Sequence, residues 1–346
     1  MHITTKIIAP DASGIAEAAA LLRAGRLVAF PTETVYGLGG DALSHAAVAK
    51  IFVAKGRPAS DPLIIHLADA SELPRVVASV PPAALRLGAA LWPGPLTLIL
   101  PRGPAVPLAV TAGGERVAVR VPSHPVAQAI IAAAGTPVAA PSANRFGHTS
   151  PTDASHVLAD LDGLIDAVVD GGPTPIGVES TVLDLTGPIP TLLRPGGVSL
   201  ETLRELLGEV ALGGRAAEGA GIASPGLLTR HYAPRSAMVL VIGPTHAARV
   251  WLRERAAREL AAGQRVGLLV PDEDAASLAD LDADIEALGP TGEPGTIARR
   301  LYAALRALDA RQPTLILARD LGETGIARAI RDRLTRAASG HVVYVE

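Results

Sequence analysis

Two short clusters carry residue types that can do chemistry on a polyanion. Lys55-Gly56-Arg57-Pro58 puts two cations at the expected exit of a helix, and Thr32-Glu33-Thr34 puts hydroxyls at the end of an apolar strand, 27–30. Cations beside hydroxyls and glycines at a strand end suit a nucleotide's phosphates. Lysine is scarce: of 31 basic residues, only Lys6, Lys50 and Lys55 are lysine. A lysine kept in so arginine-rich a chain points to a need for a compact ammonium. The same position also suits a solvated cation at the negative end of a helix dipole.

Other polar groups sit at the ends of apolar runs. His66 closes the run 62–66, and Arg116 and Arg120 flank Val117-Ala118-Val119, a spacing that puts both on one face of a strand. Pro141-Ser142-Ala143-Asn144 follows the run 137–140, and His148-Thr149-Ser150-Pro151 follows that. Ser180-Thr181 opens a strand toward Asp184, and Arg194-Pro195-Gly196 closes another. Singly, such residues build turns and helix caps. Their convergence on strand ends points to a ligand site, because sites in sheet proteins gather there.

The elements that must position these groups alternate. Strands are expected near 27–30, 62–67, 96–100, 117–121, 137–140, 166–169, 181–185 and 191–194, and helices near 14–24, 45–54, 82–90, 125–134, 152–160 and 200–207. Gly37-Leu38-Gly39-Gly40 is expected to form a glycine-rich turn. The mixture predicts an α/β fold without strict βαβ repetition. Residues 211–236 are rich in glycine and alanine, suiting either a passive linker or a functional loop around Arg230-His231-Tyr232. From Met238, strands near 238–242, 266–270 and 314–318 alternate with amphipathic helices, including 296–308 and 325–338, which predicts a small Rossmann-like parallel sheet. Its glycines form no dinucleotide fingerprint, and it shows no catalytic constellation.

Composition narrows the class. A chain of 346 residues with 49% hydrophobic content supports two domains, and a formal net charge of -3 gives no global reason to bind nucleic acid. Aromatics at 3% offer few stacking platforms for single-stranded RNA. Without cysteine, zinc–thiolate sites, disulfides and thiol catalysis are excluded. There is no G-x-x-x-x-G-K-[ST] phosphate loop, no G-x-S-x-G elbow and no H-E-x-x-H metal motif. The first residues lack the order of a signal peptide, and the uncharged stretch 121–144 is broken by Pro125, Gly135, Pro137 and Pro141. A soluble cytoplasmic protein with no membrane association is expected.

Several ordered motifs together resemble the YrdC-type threonylcarbamoyl-AMP synthases. They are Pro31-Thr32-Glu33-Thr34-Val35-Tyr36-Gly37-Leu38, Lys55-Gly56-Arg57-Pro58, Pro62-Leu63-Ile64-Ile65-His66, Pro141-Ser142-Ala143-Asn144, Val178-Glu179-Ser180-Thr181-Val182 and Leu193-Arg194-Pro195-Gly196. Ser224-Pro225-Gly226 through His231-Tyr232-Ala233-Pro234 extends the likeness, although Arg235-Ser236-Ala237 stands where the family often has lysine and a further proline. The resemblance implies a YrdC-like twisted mixed-sheet domain over 13–207, an interdomain loop over 208–236 closing on the active site, and a small α/β domain over 237–346. It implies condensation of L-threonine, bicarbonate or CO2, and ATP with Mg²⁺ to threonylcarbamoyl-AMP and pyrophosphate, a nucleotidyltransferase reaction serving tRNA threonylcarbamoyladenosine modification. A separate transferase complex would be the downstream partner, so stable tRNA binding is not required.

By the same resemblance, Lys55 and Arg57 are the catalytic cations. They would hold the triphosphate with Asp61, Arg116, Ser142, Ser150 and Arg194, with Asn144 near phosphate or Mg²⁺ and Tyr232 over the adenylate. Thr34, His66, Arg120, Ala140 and Ser180 would hold threonine, with Arg120 on its carboxylate. No metal bound by protein side chains is expected. Two other readings are a double-stranded RNA-binding or ribosome-associated module, which requires an extended basic face, and a carbamoyl-adenylate domain of the hydrogenase-maturation type, against which the lack of cysteine counts.

Overall fold

The computed structural model describes residues 4–213 and 232–346. These divide into two compact units, 4–146 with 150–213 and 147–149 with 232–346.

The first unit runs β1 (Lys6–Ile8), α1 (Ala12–Arg23), β2 (Val28–Phe30), β3 (Gly37–Asp41), α2 (His45–Lys55), β4 (Ile64–His66), α3 (Pro82–Leu91), β5 (Leu96–Pro101), β6 (Arg116–Arg120), α4 (Pro125–Ala134), β7 (Val138–Ala139), α5 (Ala154–Leu161), β8 (Ala167–Val169), β9 (Thr181–Asp184), β10 (Thr191–Arg194), α6 (Leu200–Leu207) and β11 (Ala211–Leu212). The strands form one mixed sheet in the order β1-β8-β2-β3-β7-β4-β6-β5-β9-β10-β11. β2–β3, β3–β7, β4–β7, β5–β6 and β9–β10 pair antiparallel, and the other neighbours pair parallel.

Alternation along the central strands divides core from site. Leu96, Leu98 and Leu100 of β5, Val117 and Val119 of β6, Ile65 of β4 and Leu183 of β9 point into the main core. Each such side chain contributes roughly 1.5–3 kcal/mol when fully buried. The intervening residues face the other way, where Ile64, Ala118, Ile99 and Val182 make a small separate apolar cluster.

The glycine run after β2 differs from its expected turn. Gly37–Asp41 is a strand, hydrogen-bonded to β2 on one side and β7 on the other. Its glycines admit close packing: a Cβ on Gly39 would lie 2.6 Å from the Phe30 ring, and one on Gly40 would lie 3.1 Å from Ile51 Cδ1.

The second unit runs β12 (Ala237–Ile242), α7 (Thr245–Ala261), β13 (Val266–Val270), α8 (Asp272–Leu278), β14 (Asp284–Ala287), α9 (Pro294–Ala310), β15 (Leu315–Arg319), α10 (Ala327–Ala337) and β16 (Val342–Tyr344). All neighbours in its sheet, ordered β14-β13-β15-β12-β16, are parallel. β13 and β15 are buried along their whole length, as central parallel strands covered by helices must be. Ile297, Leu301, Leu305 and Leu308 form the buried stripe of α9. No helix among the described residues is long and apolar enough to cross a membrane.

Candidate active site

The polar residues opposite the main core form a row across adjacent strands. Register pairs His66 of β4 with Arg120 of β6, Arg120 with Thr97 of β5, and Thr97 with Val182 of β9. Ser180, two residues before Val182, joins the row through a 2.7 Å hydrogen bond between its hydroxyl and that of Thr97. The row continues to Arg194 through a bulge in β10, because Leu192 pairs with Leu183 but Arg194 pairs with Val182. Without that extra residue, Arg194 would share the core-facing side of Leu192; the bulge turns it onto the site face. There its guanidinium donates to the Ser180 carbonyl at 3.0 and 3.1 Å and to the Ser180 hydroxyl at 3.2 Å.

The chain after β2 closes over one end of this row. Thr34 Oγ1 accepts from Arg120 Nη1 at 2.9 Å and lies 2.8 Å from the Thr32 hydroxyl. Arg120 Nε donates to the Gly94 carbonyl, and Nη2 lies 2.6 Å from Glu33 Oε1. Burial works to raise the Glu33 pKa, but the Arg120 guanidinium overcomes this and holds the carboxyl below its usual range. Burial, reinforced by the Arg120 charge, lowers His66 to about 3, so its imidazole is neutral near pH 7.

A second group gathers where α2 ends. Gly56 caps the helix in the left-handed region at φ 63°, leaving Lys55 as its last residue. Lys55 Nζ donates to the carbonyls of Ser142 and Asn144, both at 2.5 Å. Burial, with the Arg57 charge beside it, holds the Lys55 pKa well below the usual lysine value. Arg57 donates to the carbonyls of Asp61 and Pro62 and pairs with the buried Asp61 carboxylate at 2.9 Å. The segment 141–144 is held beside β3: Gly37 bridges Ser142, Leu38 donates to the Pro141 carbonyl, and Ala143 donates to that of Tyr36. Ala140 donates to the Ile64 carbonyl, so the segment that receives Lys55 extends β7 beside β4, the strand that carries His66.

Thr34, His66, Arg120 and Ser180 thus stand together with Arg194, and Lys55, Arg57, Asp61, Ser142 and Asn144 stand together at the end of α2. Ser150 donates to Glu179 at 2.5 Å, in the segment leading to Ser180. Arg116 shares the face of Arg120 but is half-exposed and pairs with Asp184 at 2.9 Å. Tyr232 belongs to the second unit, where its ring centroid is 5.8 Å from that of Tyr302 and Arg333 lies over it at 5.2 Å. Ser224, Pro225, Gly226 and His231 lie outside the described residues. Three participants had no role assigned from sequence: Glu33, Thr97 and Glu179. Thr97 carried a signal, being the one polar residue in Leu96-Thr97-Leu98-Ile99-Leu100.

A family model described as telomere recombination matches residues 20–196, and one described as threonylcarbamoyl-AMP synthase, C-terminal domain, matches residues 198–339. The threonylcarbamoyl-AMP synthase of Bacillus subtilis (strain 168) is 45% identical over 95% of this chain and 94% of its own length. This chain belongs to the threonylcarbamoyl-AMP synthase family. The synthase of Pyrococcus abyssi is 44% identical over 95% of each chain. A crystal structure of P. abyssi Sua5 complexed with L-threonine superposes with a TM-score of 0.94 at 42% identity, covering 99% of this chain and 100% of that one. The mixed sheet and the parallel sheet are therefore the two domains of a family synthase, and the motifs of 31–38, 55–58, 141–144 and 193–196 sit within the first.

Proposed function

We propose that this chain condenses L-threonine, bicarbonate and ATP into threonylcarbamoyl-AMP and pyrophosphate, acting as a nucleotidyltransferase. The observation that carries this reading is the row Thr34–Arg120–His66–Ser180–Arg194 on one sheet face, in a chain that matches synthases along both domains. Threonine's amine attacks the bicarbonate carbon with loss of water, giving a carbamate. A carbamate oxygen then attacks the α-phosphorus and pyrophosphate leaves. Both nucleophiles belong to substrates, so the protein's work is positioning and charge stabilisation, and orientation alone recovers roughly 7–11 kcal/mol of barrier.

Lys55 and Arg57 take the phosphates in this reading, with Arg194, Ser142 and Ser150, and Arg116 and Asp61 on the nucleotide side. An ammonium whose pKa is depressed by burial gains most from an incoming polyanion, which restores its charged form. Mg²⁺ would travel with the ATP phosphates near Asn144 in this reading. Thr34, His66, Arg120, Ala140 and Ser180 form the threonine side, and the apolar cluster of Ile64, Ile99, Ala118 and Val182 adjoins it. The adenylate would pass to a separate tRNA-modifying transferase in the cytoplasm. Domain limits of 13–207, 208–236 and 237–346 belong to the same proposal.

The decisive assay is pyrophosphate release from ATP, with threonine and bicarbonate each omitted in turn. Release should require both. Release that continues undiminished without threonine overturns the reading.

A further inference from the structure

The Arg120–Glu33 pair is close but not closed. Their facing atoms form an ion pair at 2.6 Å that helps to hold the Glu33 pKa down, yet the pair is misaligned, and Glu33 Oε1, Glu33 Oε2 and Arg120 Nη2 have no partner in hydrogen-bonding geometry among the described residues. The backbone amides of Glu33 and Ser123 help to lower the carboxyl's pKa, but neither reaches hydrogen-bonding geometry. Buried carboxylates and guanidiniums with unfilled valences are costly. Nothing else in the row supplies the missing partners: Thr34 accepts from Nη1 and Gly94 from Nε of Arg120, and Ser180 is occupied by Thr97 and Arg194.

The unfilled donors of Nη2 and the unfilled acceptors of Glu33 stand side by side. An α-amino acid presents the complementary pair, a carboxylate and an ammonium on one carbon. The charge balance agrees. Within the pair one positive charge faces one negative charge, and His66, neutral near pH 7, adds none, while the Arg194 guanidinium lies farther along the row, on Ser180. A carboxylate set beside the guanidinium favours a zwitterion over a simple anion.

We propose that Glu33 is a specificity-determining residue of the amino-acid subsite, its carboxylate holding the α-ammonium of the zwitterion whose carboxylate Arg120 holds. This rests on the reading of the site as a threonine site. Glu33 thereby fixes the nitrogen that must become the nucleophile, and it makes the subsite reject carboxylates that lack an amine.

Calorimetric titration of the full-length protein with L-threonine and with its 2-hydroxy analogue, in the wild type and in Glu33→Gln, tests this. The wild type should bind threonine about tenfold or more tighter than the analogue, the size of one charge-assisted contact. In Glu33→Gln that preference should collapse, threonine weakening while the analogue holds or gains, and Glu33→Asp should restore part of it. Equal weakening of both ligands in Glu33→Gln means that Glu33 merely braces Arg120, and overturns the proposal while leaving the threonine reading standing. A wild type that binds both ligands alike overturns it without reference to any variant. A wild type that binds no threonine overturns the underlying reading, and the proposal with it.

Discussion

At the scale of the residue, the site is built from charges held in unusual states by burial. His66 is the clearest case, because its neighbours on both sides are strands of the sheet. Desolvation, then the Arg120 charge, lowers its pKa from 6.5 to about 3. Between those values the unfolded chain binds a proton that the folded chain refuses. Acidification through that window therefore removes stability, by at most about 1.4 kcal/mol per pH unit from this one group. Urea denaturation of the wild type and His66→Gln between about pH 7 and 5 should show a shallower loss in the variant. His124, also lowered by burial, is common to both proteins and drops out of the difference. Parallel curves would show that His66 is not held neutral by the fold.

At the scale of the element, the bulge in β10 decides where Arg194 points, and Gly196 lets the chain beyond β10 pass close against β9. A Cβ on Gly196 would lie 2.3 Å from the Thr181 nitrogen and 2.4 Å from the Glu179 carbonyl oxygen, both backbone atoms that cannot swing away. Gly196→Ala should push β10 from β9 and lower stability by roughly 1–3 kcal/mol, the usual range for overpacking. Because the displaced strand carries Arg194, the apparent KM for ATP should rise in the same variant. An unchanged denaturation midpoint would mean that the 179–181 segment yields freely, contrary to its hydrogen bonds with Pro95 and Val198.

At the scale of the whole molecule, charge speaks to the choice of partner. A formal net charge of -3 and 3% aromatic residues give little to attract or stack RNA. Threonine- and bicarbonate-dependent pyrophosphate release should proceed without any RNA and be unaltered when tRNA is added. Should tRNA bind tightly, with an affinity falling about a thousandfold between 50 and 200 mM salt, the RNA-binding reading would regain its standing.

Periodicity and punctuation along the chain located eight of the nine internal strands of the mixed sheet, 27–30 through 191–194, because apolar runs bounded by glycine and proline are local properties. The four strands it missed at sheet margins, β1, β11, β14 and β16, are short and partly exposed, so burial leaves little apolar pattern on them. β3 escaped for the opposite reason: its glycines serve contacts with Phe30 and Ile51, residues that only folding brings near. The same division runs through the site. Lys55, Arg57, His66, Arg120 and Arg194 were legible because their types and motifs mark them in one dimension. That Ser180 meets Thr97 and that a bulge turns Arg194 onto their face depended on strand register, and that Arg120 meets Glu33 depended on how the chain after β2 closes over that face. Register is set by pairing between distant segments, and a single residue's slip moves a side chain to the opposite face of the sheet.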